Sequence, residues 1–382
     1  MKQLKVLTIT TSGLIKKEGI STVILDNYSL FDKKRFNLNI IVSGNYDKNL
    51  VKDFRNAGVK PILFPDRKKE LFKYIWNLYK IMKKENYDIL YVHGSSAIMS
   101  IELIVALIVR CKLRIVHSHN TTCDHKFVDK LLRPIFYHLY THAFACGHDA
   151  GKWLFSNRNF EIIKNGRSLS KYKYNLEVRN ETRKFLQLKE NIAVGHVGNF
   201  NNQKNHEFII RMFKELVLLN DNAKLFLIGS GEKELEIRSL AEKMNLSENV
   251  IFMGNIDNVH EILQAMDVMI LPSLYEGLPL VVVEWQLAAL PSLISDSVTK
   301  ECAFTDFIQF KSLDDGEQSW AEDIFKVYLK ERAGLAKNVE KLAVESGYDL
   351  EKNAVDLQNR FLNYSKEIVV KSKWKILGEK RC

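Results

Sequence analysis

The chain has 382 residues, 46% of them hydrophobic and 27% charged, with 18 glycines and only 6 prolines. That length and balance fit a soluble globular protein of about two ordinary domains and exclude the collagenous and disordered classes. The formal net charge of +10 asks for anionic partners: a nucleotide sugar, an anionic lipid surface or a nucleic acid. The basic residues are dispersed and no nucleic-acid motif accompanies them, so nucleic acid is the weakest of the three. Cys111, Cys123, Cys146, Cys302 and Cys382 are scattered without C-x-x-C spacing, which argues against a zinc site or a disulfide framework and for a reducing cytoplasm.

Residues 4–10 form an apolar run of strand length, and the N-terminus lacks the long apolar core of a signal peptide. A loop with Gly13 and Gly19 follows, then an apolar-periodic stretch from Val23. This is a strand-to-helix turn without G-x-G-x-x-G, so no dinucleotide fingerprint is present. Strands are expected at 36–42, 59–64, 87–93 and 113–117, with helices at 51–57 and 98–109 between them. The longest apolar run, 103–109, is too short to span a bilayer. Residues 66–85 carry an apolar stripe, Phe72, Ile75, Trp76, Tyr79 and Met82, among seven basic residues and three acids. They read equally as an interfacial helix for anionic lipid or as a crossover helix packed on a sheet.

Residues 115–120, I-V-H-S-H-N, run from a strand into a polar loop. His117 reads as a satisfied strand histidine. His119 would lie at the carboxyl end of a parallel strand, where such sheets bind ligands. Two histidines two apart also suggest a metal, but no carboxylate or cysteine cluster stands near them in sequence, so no metal is assigned. Short strands at 143–146 and 160–164 come next, and the polar, basic stretch 168–180 reads as a linker. Beyond it the grammar restarts: strands at 192–197, 224–228, 250–255 and 291–294, helices at 232–244, 319–329 and 332–345, and a last helix at 350–364 before a basic tail, with 261–266 leading into the central motif. Regular alternation of strand and helix means parallel sheets wrapped by helices.

One stretch stands out. After V-M-I-L-P comes S-L-Y-E-G-L-P-L-V-V-V-E, residues 273–284. It reads as strand, Gly-containing loop and helix, with Pro279 in the first helical turn. Backbone N–H groups at such a start suit a phosphate, and the carboxylates of Glu276 and Glu284 each accept two hydroxyls of a sugar or ribose. By itself the pattern also fits two solvated glutamates beside an ordinary turn.

The run P-S-x-x-E-G-L-P-x-x-x-x-E resembles the donor-site motif of retaining glycosyltransferases with two Rossmann-like domains, family four in particular. H-S-H-N-T and S-D-S-V-T-K-E, residues 117–121 and 295–301, resemble the exopolysaccharide and capsule branch of that family. The resemblance implies the GT-B fold: an α/β protein of two Rossmann-like domains with a cleft between them. The expected domains are an acceptor domain at 1–167, onto which helices at about 350–382 pack back, and a nucleotide-sugar domain at 168–349.

The resemblance also implies roles. His119 and Glu276 would touch the donor sugar and Glu284 the ribose. Gly13 and Gly19 would belong to the loop over the donor. Gly254 would end the strand beside the base, and Gly277, Leu278, Pro279 and Leu280 would meet the phosphates. Residues 198–206, G-N-F-N-N-Q-K-N-H, resemble the family's G-R-x-x-x-x-K loop. Lys204 matches its lysine, but Asn199 replaces the arginine, exchanging a charged fork for a neutral amide. No D-x-D motif sits where a metal-dependent transferase would place one, so no metal or other cofactor is expected. The implied partners are a nucleotide-sugar donor, most simply a UDP-sugar, a polyprenyl-linked saccharide acceptor and the anionic inner face of the plasma membrane. A sugar-nucleotide epimerase of the same architecture and a non-catalytic partner subunit, suggested by Asn199, stay open as rival readings.

Overall fold

The structure, a computed structural model, describes residues 3–15, 19–328 and 332–379, with side chains up to residue 367. Lys16, Lys17 and Glu18 of the glycine loop, the side chains of the basic tail, and Cys382 lie outside the described residues.

The chain divides into two compact units, Met1–Gly166 with Leu350–Cys382, and Arg167–Asp349. In the first, strands and helices alternate: β1 (Leu4–Thr10), α1 (Gly19–Ser29), β2 (Phe36–Val42), α2 (Lys48–Asn56), β3 (Lys60–Leu63), α3 (Leu71–Glu85), β4 (Ile89–Gly94), α4 (Ser100–Ile108), β5 (Leu113–Ser118), α5 (Lys126–Leu139), β6 (His142–Ala145), α6 (His148–Phe155) and β7 (Glu161–Ile162). The seven strands form one parallel sheet in the order β3-β2-β1-β4-β5-β6-β7. Every residue of β4 is buried, as a central parallel strand covered on both faces requires. Alternate strand residues feed two cores. Leu7, Ile9, Leu90, Val92 and Val116 meet α3 to α6, while Val6, Ile40, Ile89 and Ile115 meet α1 and α2.

The second unit holds α7 (Leu169–Tyr172), α8 (Leu176–Phe185), β8 (Ala193–Val197), α9 (His206–Leu219), β9 (Lys224–Ile228), α10 (Glu234–Lys243), β10 (Val250–Gly254), α11 (Val259–Ala265), β11 (Val268–Leu271), α12 (Leu280–Leu287), β12 (Ser292–Ser295), β13 (Ile308–Lys311), α13 (Gly316–Val327), α14 (Arg332–Leu335) and α15 (Val339–Glu345). Its six strands are also parallel, in the order β10-β9-β8-β11-β12-β13. The last helix, α16 (Leu350–Glu379), belongs to the first unit, where Leu357 and Phe361 enter the core of α1 and α2.

Several elements differ from expectation, each for a local reason. The segment expected to be a linker, 168–180, contains α7 and the first half of α8. No residue of α8 is buried, so it has no apolar periodicity to read; Arg179 and Arg183 hold it by pairing with Asp267 at 2.5 and 3.0 Å. Helix α5 encloses Pro134, a residue that ordinarily ends a helix. β13 is a four-residue edge strand. Residues 332–345 form two helices rather than one, and α16 runs fifteen residues past the expected end. Pro279 stands just before α12 as its N-cap residue, not within its first turn.

The buried Arg332 ties the ends of two helices together. Its Nη1 donates to the carbonyls of Gln264 and Met266 at 2.6 and 2.8 Å, its Nη2 to that of Ala288 at 2.5 Å, and the Tyr174 ring lies 4.5 Å from the guanidinium. Carbonyls at helix ends lack intrahelical donors; Arg332 serves those of α12 and, together with Arg179 and Arg183, those of α11. Replacing Arg332 by Met takes the donor from the Ala288 carbonyl, while the Gln264 and Met266 carbonyls keep Arg179 Nη1 at 3.0 and 2.7 Å, so the expected cost is about 1–3 kcal/mol. Guanidinium unfolding followed by tryptophan fluorescence measures this; an unchanged midpoint would show that the contacts contribute nothing.

Candidate active site

In the second sheet the strand order reverses between β8 and β11, the place where open parallel sheets bind ligands beyond their carboxyl edge. Those two strands deliver the loops 198–205 and 272–279. The loops are laced through Glu276. Its Oε1 accepts from Lys204 Nζ at 2.5 Å and from Ser273 Oγ at 2.8 Å, and its Oε2 accepts from Gln203 Nε2 at 3.0 Å. Gln203 Nε2 also donates to the Tyr275 carbonyl, and Leu274 N donates to the Gln203 carbonyl, both at 2.9 Å. Lys204 and Glu276 are both largely shielded, so their attraction is little screened by water. Two glycines are required by close approach: a Cβ on Gly198 would press on the Lys204 stem, and one on Gly229 would lie 2.1 Å from the Gly198 carbonyl oxygen.

Asn199 is exposed in the same loop. Gly277 and Leu278 are half-buried, while Pro279 and Leu280 are buried at the start of α12. Gly254 ends β10 at φ 63° and its carbonyl accepts from Gly229 N at 2.9 Å. Glu284 lies one turn into α12, buried, with Oε1 2.8 Å from Arg167 Nε; this is an ion pair whose N–H is not aligned on the oxygen. Sequence reasoning did not single out Arg167, Gln203 or Ser273. Gln203 and Ser273 sat inside quoted motifs, but nothing local pairs Arg167 with a residue so far along the chain.

Two more residues were missed. His196 in β8 bonds the Ile270 carbonyl through Nδ1 at 2.9 Å, and His206 stacks on Phe200 with ring centres 4.1 Å apart. Burial, then the Lys204 charge, pushes His196 down to about 3; burial, then His196 and Lys204, pushes His206 down to about 2. Both imidazoles are neutral at physiological pH, and Lys204 carries the positive charge of this corner.

In the first unit, His119 follows β5 and is buried, its Nε2 2.9 Å from His93 Nδ1. His117 Nδ1 accepts from Tyr91 Oη at 2.6 Å, but its Nε2 is buried without a hydrogen-bond partner, so the satisfied strand histidine expected here is satisfied on one side only. Burial pushes His119 down to about 3, and burial with the neighbouring imidazoles holds His93 and His117 well below the usual range. His93 arrives from β4, so sequence adjacency could not add it to the pair. Among the described residues the three could offer a metal ligand atoms lying within 4.8 Å of one another. At 2.9 Å, however, His93 and His119 share a proton that an ion between them would have to displace. Gly13 has φ 89° and its carbonyl accepts from Thr10 Oγ1 at 2.7 Å, while Gly19 is the first residue of α1 rather than part of the loop.

The family model described as "Glycosyltransferase Family 4" matches residues 18–171, and the one described as "Glycosyl transferases group 1" matches residues 178–331. The chain belongs to glycosyltransferase family four. A relative of this family-four enzyme, "Putative glycosyltransferase EpsF" of Bacillus subtilis, is 29% identical over 91% of this chain and 94% of its own. The "UDP-Gal:alpha-D-GlcNAc-diphosphoundecaprenol alpha-1,3-galactosyltransferase" of Escherichia coli is 26% identical over 74% of this chain and 78% of its own. Among solved structures, Anabaena HepE in complex with UDP and glucose aligns with a TM-score of 0.79 at 15% identity, over 94% of this chain and 100% of that one. The two parallel sheets have the GT-B fold, and the family-four protein is a glycosyltransferase.

Two measurements test this geometry. Glu276→Gln keeps the shape but weakens the charge-assisted bonds around it, each about 1.5–3 kcal/mol, so kcat should fall roughly tenfold or more; Glu284→Gln should chiefly raise the donor KM. Full turnover by both variants would remove these residues from the site. Separately, a buried histidine that is neutral when folded protonates more readily when unfolded. Its contribution is complete above its ordinary pKa of 6.5 and is lost as pH falls from there toward about 3. Each such histidine adds about 1.4 kcal/mol per pH unit to the slope of stability in that window. His196→Asn should flatten the slope between neutral and acid pH in denaturant titrations, and an unchanged slope would contradict the assignment.

Proposed function

We propose that this glycosyltransferase moves a hexosyl or N-acetylhexosaminyl group, with retention, from a UDP-sugar to a polyprenyl-linked saccharide in capsule, exopolysaccharide or O-antigen assembly. It acts in the cytoplasm, at the inner face of the plasma membrane. The observation that carries the reading is Glu276, held by Lys204, Ser273 and Gln203 at the switch point of the second sheet. A carboxylate held from three sides is oriented before any sugar arrives, so its hydroxyl contacts need little reorganisation. The lipid-linked acceptor is supported by the E. coli relative, whose name gives a diphosphoundecaprenol acceptor and a UDP-Gal donor.

In this reading Lys204 and the N-terminus of α12 offset the charge developing on the leaving diphosphate. The bond from the anomeric carbon to the phosphate oxygen breaks, and a bond to the acceptor oxygen forms on the same face. The acceptor proton passes to the leaving phosphate. Glu276 orients the sugar hydroxyls, His119 meets the sugar as a neutral hydrogen-bonding group, and Glu284, paired with Arg167, holds the ribose. Lys204 supplies the positive charge, so the reading assigns no step to a metal or other cofactor.

The test is a panel of nucleotide sugars with lipid-linked saccharides extracted from bacterial membranes, followed by mass spectrometry and by NMR of the new linkage. The expected result is release of UDP and one added sugar of unchanged anomeric configuration. Epimerised sugar formed from a UDP-sugar without acceptor would make the protein an epimerase. Calorimetry showing no bound nucleotide sugar would make it a partner subunit.

A further inference from the structure

Helices α3, α4 and α5 lie side by side, α3 against α4 and α4 against α5, and all three bury residues in the same core on one face of the first sheet. Tyr74, Leu78 and Met82 of α3, Leu103 and Ala106 of α4, and Phe136 and Leu139 of α5 make those contacts. Their opposite sides therefore share one outer surface. The expected stripe of α3 is thus split: Met82 is in the core, Ile75 and Tyr79 are half-buried, and Phe72 and Trp76 point to solvent.

That outer surface is apolar to an extent that water does not favour. Phe72 is 89% exposed, Trp76 56%, Ile108 63%, Phe127 81% and Leu131 67%; Ile104, Leu107, Val128 and Ile135 are exposed with them. Large side chains exposed together in this way mark a docking surface. Its charge says what docks. Between residues 66 and 140, Lys68, Lys69, Lys73, Lys80, Lys83, Lys84, Arg110, Lys112, Lys126 and Lys130 are exposed, against only two exposed carboxylates, Glu70 and Asp124. Glu70 is paired with Lys73, Glu85 at the end of α3 is half-buried and paired with Lys5, and the acids of α4 and α5, Glu102 and Asp129, are buried against Arg67 and Arg133. Arg67 is therefore removed from the basic set that the sequence suggested, and α3 begins at Leu71, after a turn capped by Asp66. Lys80 and Lys83 lie over the rings of Trp76 and Tyr79, so charge and aromatic area occupy the same turns.

We infer that the outer faces of α3, α4 and α5 form a single membrane-docking surface that inserts Phe72, Trp76, Phe127 and Leu131 between the headgroups of an anionic bilayer while the lysines contact the lipid phosphates. Aromatic and aliphatic side chains with a basic surround are what interfacial binding requires, because neither apolar insertion nor charge attraction alone gives lasting attachment. Among the described residues no helix is long and apolar enough to cross a membrane, and docking of this kind needs none. The inference deepens the lipid-linked acceptor reading by naming where the bilayer is met. Vesicle binding needs neither donor nor turnover, so the two can fail separately.

The experiment is flotation of the full chain with vesicles of phosphatidylcholine alone, or with phosphatidylglycerol added, at rising salt. Wild type should float with the anionic vesicles and be released as salt rises. Phe72→Ser, Trp76→Ser, Phe127→Ser and Leu131→Ser combined should weaken binding roughly a hundredfold or more even at low salt, since each exposed side chain loses its transfer into apolar surroundings. Lys68, Lys69, Lys83 and Lys84 changed to Gln should weaken it by a similar factor on anionic vesicles only. Both variants should keep the wild-type melting curve and their turnover of a short, water-soluble acceptor. Wild type left unbound by anionic vesicles at low salt overturns the inference. So does light scattering that shows a wild-type dimer made monomeric by the serine changes, with no vesicle binding: the occupant would then be a second copy of the chain.

Discussion

A parallel strand can be followed by another only through a crossover, so all the loops at its carboxyl end open on one edge of the sheet. In both units of this glycosyltransferase the strand order turns back on itself, at β1 and β4 in the first sheet and at β8 and β11 in the second. At that point neighbouring loops diverge to opposite faces and leave room between them. The placement of the candidate site follows from this constraint. Lys204 and Glu276 are distant in sequence and adjacent in space because β8 and β11 are neighbours in register, with Val268 beside Val194. Likewise His93 and His119 meet because β4 and β5 pair, with His93 beside His117.

On that frame, burial and charge divide the work. The histidines at the strand ends are stripped of water and stay neutral, so they position and donate without adding charge. The charges that remain are few and paired: Lys204 with Glu276, Arg167 with Glu284. A shielded ion pair adds little net stability, because the desolvation of both partners offsets most of their attraction. Its use here is orientation. Each carboxylate is held in one orientation by its cationic partner, and the amide of Asn199 stands in the same loop as Lys204 without duplicating it. The backbone is shaped to suit, with Gly229 at a positive φ that lets its turn pass against the Gly198 carbonyl.

The surface follows a different logic. Crossover helices normally keep one apolar face inward and a charged face outward. Helices α3 to α5 satisfy the first half of that rule and break the second, at Phe72, Trp76, Phe127 and Leu131. The cost of wetting those side chains is modest for each one but accumulates over a contiguous face, and it is relieved when the face is covered.

Most strands, the restart of the pattern after residue 180 and the motif at 273–284 were legible in the sequence because each rests on short-range signals: apolar runs of strand length, glycines at turns, and the spacing of Glu276 and Glu284. The family resemblance added roles to residues the pattern had only located. What adjacency along the chain does not carry was decided by tertiary structure. The stripe on α3 shows this best. Phe72, Ile75, Trp76, Tyr79 and Met82 have helical spacing, but so do Tyr74, Leu78 and Met82, and only packing against the sheet determines which set is buried. Helix α8 has no apolar face and exists because two arginines reach Asp267. Arg167 meets Glu284, and His93 joins His119, through strand order and helix packing that no local pattern encodes. Sequence determined which residues are able to bind, pair or insert; the three-dimensional arrangement decided which of them do so together, because burial and ion pairing depend on distance in space.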